Sequence, residues 1–432
     1  MTVLRPMLLC LCFMLCFAGF TAKGPQITVK DGRFFCKGKP YYYIGANYWY
    51  GSLLAIQSDP AAGKARLIKE LDFLKSRGVN NLRVLVGSEG AGKINGVDRV
   101  TPVLQPEKGV FNDDILNGLD FFLFEMGKRQ MYAVLYLSNN WEWSGGFLQY
   151  LNWNGQLDLA AMQPKMTWDA QRDFTSKFYT CEPCMQDYKK QVDHIFKHVS
   201  KYTNKTYAAE PAIMAWELAN EPRPMRSEAV PAYKAWTAST ASYIKSLDKN
   251  HLVTLGTEGI MGTEESAELF TEVNAHAQVD YLTLHVWPKN WGWFADTSIV
   301  KDLPSVISKT NDYIEKHVAI ANQLNKPLVI EEFGLPRDGH SFDVAQSTKM
   351  RDSYYTSVFD MLLKSRKDEG KIAGANFWAF GGTARPVKGQ LFWKYGDQFM
   401  GDPPQEEQGL NTVFDSDSST WQIIKKYTTL LK

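Results

Sequence analysis

Ala212-Ile213-Met214-Ala215-Trp216-Glu217-Leu218-Ala219-Asn220-Glu221-Pro222-Arg223 decides the fold of this chain. Its first five residues are an unbroken apolar run and read as a buried strand. An Asn-Glu pair follows, and Pro222, which has no N–H for a ladder, closes the strand. A carboxylate at the carboxyl end of a buried strand is costly unless it works or is paired. A second such place lies 111 residues on, counted from Glu221 to Glu332, in Pro327-Leu328-Val329-Ile330-Glu331-Glu332-Phe333-Gly334. Two buried strands that each end in Glu set two carboxylates facing across one cleft.

Outward from these two, similar runs recur. Strands are expected at Tyr42–Tyr48, Val79–Val86, Met131–Leu137, Ala212–Asn220, Leu252–Gly256, Val279–Val286, Pro327–Glu332 and Ile372–Trp378. None alternates polar with apolar, as parallel strands covered on both faces would not. Amphipathic helices fall between them. Leu67, Leu71 and Leu74 share a helical face that ends at Gly78, where a left-handed cap is wanted. Tyr188, Val192, Ile195, Phe196 and Val199 line a second face, and Trp236, Tyr243, Ile244 and Leu247 a third. Eight strands with intervening helices predict a (β/α)8 TIM barrel, with a doubly wound sheet as the alternative. No repeat or low-complexity linker divides 23–432, so one domain is expected there. Long insertions at 139–185, 287–300 and 379–411 all fall on the carboxyl-terminal face, where barrel active sites sit.

Charge is balanced, with 48 Lys plus Arg against 47 Asp plus Glu, which argues against a nucleic-acid partner. Residues 1–22 read as an export signal: Arg5 is its positive end, and Met7 to Phe20 is apolar but too short to span a bilayer. An acylated Cys16 is an alternative, disfavoured by the large Leu15 before it. No later stretch is long and apolar enough for a membrane helix, so secretion is expected, with a periplasmic or surface-anchored location if the source is bacterial. Beyond the signal remain Cys36, Cys181 and Cys184. Cys181-Glu182-Pro183-Cys184 fits a local disulfide, a redox motif or half a metal site. No second Cys pair or nearby His cluster supports a metal, so the disulfide is expected, leaving Cys36 as a small buried hydrophobe.

The strand ends carry an unusual polar set: Arg83, Asn139, Asn140, Trp141, Asn220, Glu221, Arg223, Glu258, His285, Trp287, Glu332 and Trp378. Each has a plain structural reading alone, as ion pair, satisfied core histidine or packing residue. Their shared placement around one mouth favours function. Paired carboxylates at such a mouth are the equipment of glycoside hydrolysis. Thirteen Trp and twenty Tyr suit a site that stacks on the flat faces of sugars.

The pattern Asn220-Glu221-Pro222 with Glu332-Phe333-Gly334 resembles glycoside hydrolase family 5, among the retaining barrel glycosidases. More closely, the chain is similar to the endo-β-1,4-mannanases of that family. Asn80-Asn81-Leu82-Arg83, Asn139-Asn140-Trp141 with Gly145-Gly146, Trp216 to Arg223, Thr257-Glu258-Gly259 and His285-Val286-Trp287-Pro288 carry this resemblance, which runs from about residue 27 to the end. It implies Glu221 as acid/base and Glu332 as nucleophile. Arg83 would keep Glu332 ionised, Asn220 would reach the sugar 2-hydroxyl, and His285 would join the network. Trp378 would floor the −1 subsite, on a Trp378–Ala379 peptide that is cis. Many members carry Tyr where this chain has Trp287, so Trp287 is expected either to stack on sugar or to leave the hydroxyl's place to another donor. Successive strand residues point to opposite faces, so only one of Glu331 and Glu332 can enter the mouth, and Glu331 is expected to be a structural carboxylate or one that supports the site residues.

The resemblance implies a secreted endo-acting enzyme cleaving mannan, glucomannan or galactomannan, with a β-mannan-type polysaccharide as partner, no cofactor and no metal, acting as a monomer. A β-1,4-glucanase and an exo-β-mannosidase keep the fold and change the substrate or product. A non-catalytic carbohydrate-binding barrel is disfavoured because the whole polar set is present. A metal-dependent hydrolase is disfavoured because the seven histidines include no ligand run.

Overall fold

A computed structural model describes residues 27–158, 160 and 165–432. The expected export signal, with Cys10, Cys12 and Cys16, lies outside the described residues. Eight parallel strands form one sheet: β1 Tyr43–Asn47, β2 Asn81–Leu85, β3 Tyr132–Tyr136, β4 Ile213–Glu217, β5 Leu252–Thr254, β6 Leu282–Val286, β7 Leu328–Phe333 and β8 Ile372–Phe377. Their order is β5-β4-β3-β2-β1-β8-β7-β6. At the seam between β5 and β6 the Asp280 N–H donates to Val253 C=O at 2.8 Å and the Thr254 hydroxyl to Tyr281 C=O at 2.9 Å. Every expected run overlaps one of the eight. Each strand is buried throughout, which is why it reads as a continuous apolar run.

One longer or shorter helix returns the chain after each strand: α1 Pro60–Ser76, α2 Asp113–Lys128, α3 Glu182–Lys197, α4 Val230–Leu247, α5 Ala267–Asn274, α6 Ile299–Leu324, α7 Lys349–Lys367 and α8 Ser418–Leu430. Asp59 caps α1 by accepting from the Ala61 and Ala62 N–H groups, with Pro60 at its first position. Gly78 takes φ +86°, and a Cβ there would meet the Thr428 Oγ1 of α8 at 2.4 Å. Leu67, Leu71 and Leu74 are buried as expected, as are Tyr188, Val192, Ile195 and Phe196. Val199 is instead exposed, because α3 ends at Lys197 and the helical face stops with it. Cys181 and Cys184 form the expected disulfide at the start of α3. Cys36 is only half-buried, with its sulfur 3.1 Å from the Tyr132 hydroxyl.

An antiparallel sheet of Ile27–Lys30, Arg33–Cys36 and Lys39–Pro40 precedes the barrel. Its Ile27 and Phe34 pack with Tyr43, Tyr132, Leu252, Val329 and Ala373, and so plug the amino-terminal end. The other end is built by the insertions. The segment after β3 is tied down by Glu89, a buried carboxylate that follows β2. Glu89 accepts from the Gly146 N–H, Ser138, Tyr150 and Gln191 at 2.8–3.2 Å. Glu89→Ala would strand four donors in the core, each costing about 1–3 kcal/mol if left unmade. We expect a loss of about 3 kcal/mol or more, read as a lower denaturation midpoint.

Candidate active site

The carboxyl-terminal mouth holds a cavity of about 370 Å³ lined by Trp141, Asn220, Glu221, Arg223, Glu258, Trp287, Glu332 and Trp378 from the expected set. Arg83 and His285 are fully buried just beneath it. Asn140 is not among the lining residues: its N–H donates to the Asn220 carbonyl, and both its side-chain polar atoms are buried without a protein partner. Its neighbour Asn139 takes part instead, accepting from Asn220 Nδ2 at 3.1 Å.

Glu221 follows β4 in a left-handed backbone conformation, φ +51°, held by its own N–H to Gly256 C=O at 2.8 Å. A non-glycine residue there costs about 1–2 kcal/mol, and such strain clusters at functional sites. Its Oε1 lies 2.6 Å from His285 Nδ1, and its Oε2 accepts from the Trp141 indole N–H. Glu332, on β7, is bound by Arg83 Nη1 and accepts from the Trp287 indole N–H at 3.1 Å. Trp287 is therefore itself the donor to Glu332, filling the role left open by the absent tyrosine. His285 Nδ1 is also 3.4 Å from Glu332 Oε2. Oxygens of the two carboxyls and this nitrogen all lie within 4.8 Å of one another.

Burial raises the pKa of Glu221, partly opposed by Arg223, the Trp141 N–H and Arg83. Burial and the Glu221 carboxyl push Glu332 up, while Arg83 and the Trp287 N–H pull it down. Two buried carboxyls so close cannot both ionise cheaply. The guanidinium contact belongs to Glu332 and favours the ionised form there. Burial, with Arg83 nearby, holds His285 neutral.

Trp141 is flanked by the Arg223 guanidinium, 5.2 Å from its ring, and by the half-exposed Trp168, stacked at 6.0 Å. Arg223 pairs with Glu258, whose pKa burial lifts to about 7 against the pull of that arginine. At the Glu332 side, Trp287 meets Trp378 edge-on at 5.7 Å, and the Trp378–Ala379 peptide is cis. Trp291 lines the cavity and Trp293 packs on it at 5.1 Å.

Two contributions were not legible in the sequence. Gln405 and Glu406, from the 379–411 segment, line the cavity beside Trp378. That loop is stitched by Asp402, which accepts from the N–H groups of Gly409, Asn411 and Thr412 and from the Thr412 hydroxyl. Glu331 is absent from the cavity lining and supports the site from beneath: its Oε2 lies 3.7 Å from Arg83 Nε and 3.5 Å from His285 Nε2. The cause is a bulge: Leu284 pairs with Ile330 but His285 with Glu332, so Glu331 is an extra residue and the alternation breaks.

Among curated relatives, a putative mannan endo-1,4-beta-mannosidase 9 of rice is 30% identical over 371 residues, covering 84% of this chain and 83% of its own. Among solved structures, a mutant family 5 mannosidase of Rhizomucor miehei in complex with mannosyl-fructose superposes with TM-score 0.82 at 31% identity, covering 94% of this chain and 97% of that one. The endo-1,4-beta-D-mannanase of Thermotoga petrophila RKU-1 does so at TM-score 0.65 and 26% identity, covering 90% and 100%. The family model described as GH family 5 beta-mannosidase-like matches residues 25–432. From the amino-terminal plug to the last helix, the protein therefore belongs to glycoside hydrolase family 5, in its β-mannosidase-like group.

Proposed function

We propose that the protein hydrolyses β-1,4-mannosidic bonds of mannan, glucomannan or galactomannan by double displacement, acting within chains. The observation that carries this reading is the Glu221–Glu332 pair. One oxygen of each lies within 4.8 Å of the other, in keeping with the roughly 5–5.5 Å between carboxyl groups in retaining enzymes. Glu332, held ionised by Arg83, attacks the anomeric carbon. Glu221 gives its proton to the leaving oxygen, then takes one from the water that frees the glycosyl-enzyme. Asn220, oriented by Arg83 and Asn139, offers its amide to the sugar beside the nucleophile. Trp378 supplies the floor, and Trp141 with Trp168 a stacking wall on the acid side.

An N-terminal export signal, one catalytic domain after residue 22 and a secreted, monomeric enzyme complete the proposal. Support comes from the Arg5-led apolar run and from a site built wholly by one chain. Among the described residues no helix is long and apolar enough to cross a membrane.

One observation favours a second reading, release of mannose from chain ends. The cavity, about 370 Å³, is near the lower end of the roughly 300–1,000 Å³ range of ligand pockets, and Gln405 and Glu406 stand at its Trp378 end. The Glu406 carboxyl and the Trp378 indole N–H are buried side by side there. Product analysis on linear mannan separates the two. A ladder of oligosaccharides is expected for action within chains; mannose alone would overturn it in favour of the chain-end reading. If the chain end is read by that wall, Glu406→Ala should turn a mannose-only profile into a mixture.

A further inference from the structure

Arg83 is fully buried, and its guanidinium has five N–H groups. Every one is used. Nε–H is shared between the Glu217 oxygens at 2.8 and 3.1 Å, and Nη2 reaches Glu217 Oε2 at 2.9 Å and Asn220 Oδ1 at 2.7 Å. Nη1 serves Asn47 Oδ1 at 3.2 Å and Glu332. Nothing is left for Glu331, the bulged residue. Its Oε2 is buried without a hydrogen-bond partner, and so is His285 Nε2, which faces it at 3.5 Å. Two buried orphans that face each other complete each other. Glu331 also meets Glu217, and two buried carboxyls in contact need a proton between them. Glu217 already accepts three bonds from a cation, so the proton belongs on Glu331.

We propose that Glu331 is a positioning residue: a neutral carboxylic acid whose O–H donates to Glu217 and whose carbonyl oxygen accepts the Nε2–H of His285. This fixes His285 with its lone pair on Nδ1, aimed at Glu221 Oε1 2.6 Å away. The lone pair takes the O–H of Glu221, so the free enzyme holds its acid protonated. The direction of every bond is then set from Arg83 through Glu217, Glu331 and His285 to Glu221. Burial, with the Glu217 charge, raises Glu331 in the same sense. The other groups facing Glu331 are Arg83, Glu332 and, at longer range, the Tyr43 and Tyr281 phenols, none of which supplies a competing free cation. Around Glu221 stand Arg223, Glu258, Glu332, Glu406 and Arg83.

The proposal rests on Glu221 being the acid, and the test keeps the two apart. In the full-length protein labelled with 15N-histidine, the His285 signal, assigned by its loss in His285→Gln, should report the Nε2–H tautomer. Glu331→Gln retains a donor for Glu217 and an acceptor for His285. It should keep kcat/KM within about threefold and leave the tautomer and the alkaline limb of the pH profile in place. Glu331→Met removes the acceptor. His285 should then move its proton to Nδ1 and donate to Glu221, favouring the carboxylate. The alkaline limb should move down by about one pH unit and kcat/KM should fall about tenfold or more. An Nδ1–H tautomer in the unmodified enzyme, or a Glu331→Gln limb displaced like that of Glu331→Met, would overturn the proposal even with Glu221→Gln inactive. An active Glu221→Gln would overturn the acid assignment and this inference together.

Discussion

Glu332→Ala should abolish turnover, with kcat reduced by about 10⁵-fold or more, because no glycosyl-enzyme can form without the nucleophile. The loss should not come from unfolding. Removing Glu332 frees Arg83 Nη1, but that guanidinium keeps Glu217, Asn220 and Asn47. A thermal midpoint close to that of the unmodified protein is therefore expected beside the lost activity. The vacated space faces the Trp287 N–H and Arg83, both donors, so it suits a small anion. Azide or formate should restore part of the turnover, and the product should carry inverted configuration at the anomeric carbon. Rescue with retention, or an active Glu332→Ala, would remove Glu332 from the nucleophile's role.

Glu221→Ala should fail differently. General acid and base assistance contributes about 10²–10⁴-fold, and natural mannosides, whose leaving groups are poor, should lose about that much. Aryl mannosides with good leaving groups need no proton, so their first step should survive. Their glycosyl-enzyme should then accumulate as a burst, since no base remains to activate water. Azide should speed the second step and give a product of retained configuration. The pH profile carries the same information. Glu221 must be protonated for the first step, and its pKa is raised by burial. Activity of the unmodified enzyme should hold above the ordinary carboxylate range and fall as pH rises through that raised value. With an activated substrate, Glu221→Ala should lack this alkaline fall. A variant that kept the fall, or showed no burst, would put the acid elsewhere.

The eight strands were legible because burial on both faces leaves each as a short, continuous apolar run. The helices were legible from Leu67, Leu71 and Leu74 and their kin, whose spacing matches one face. Glu221 and Glu332 were legible because a charge at the end of such a run has no cheap structural excuse. Arg83, Asn220, His285 and Trp378 followed from the same placement. The amino-terminal plug was not: its strands are short, and Ile27 and Phe34 gain meaning only against the barrel's lower end. Glu89 and Asp402 were equally silent, as single acidic residues in loops whose four donors each come from distant or irregular chain.

By itself, then, the sequence determined the (β/α)8 architecture, the mouth at which chemistry sits and the two carboxylates that face across it, because strand burial and strand-end polarity are local properties written in consecutive residues. Only the tertiary structure decided what surrounds that pair. It made Trp287 a donor to Glu332, set the Asn139 side chain rather than that of Asn140 against the Asn220 amide, put Glu406 in the cavity wall and brought Glu331 against Arg83 and His285. Each of these depends on register, on a bulge between two strands or on the path of a long loop. Those features arise from pairings between residues far apart in the chain, which no local pattern encodes.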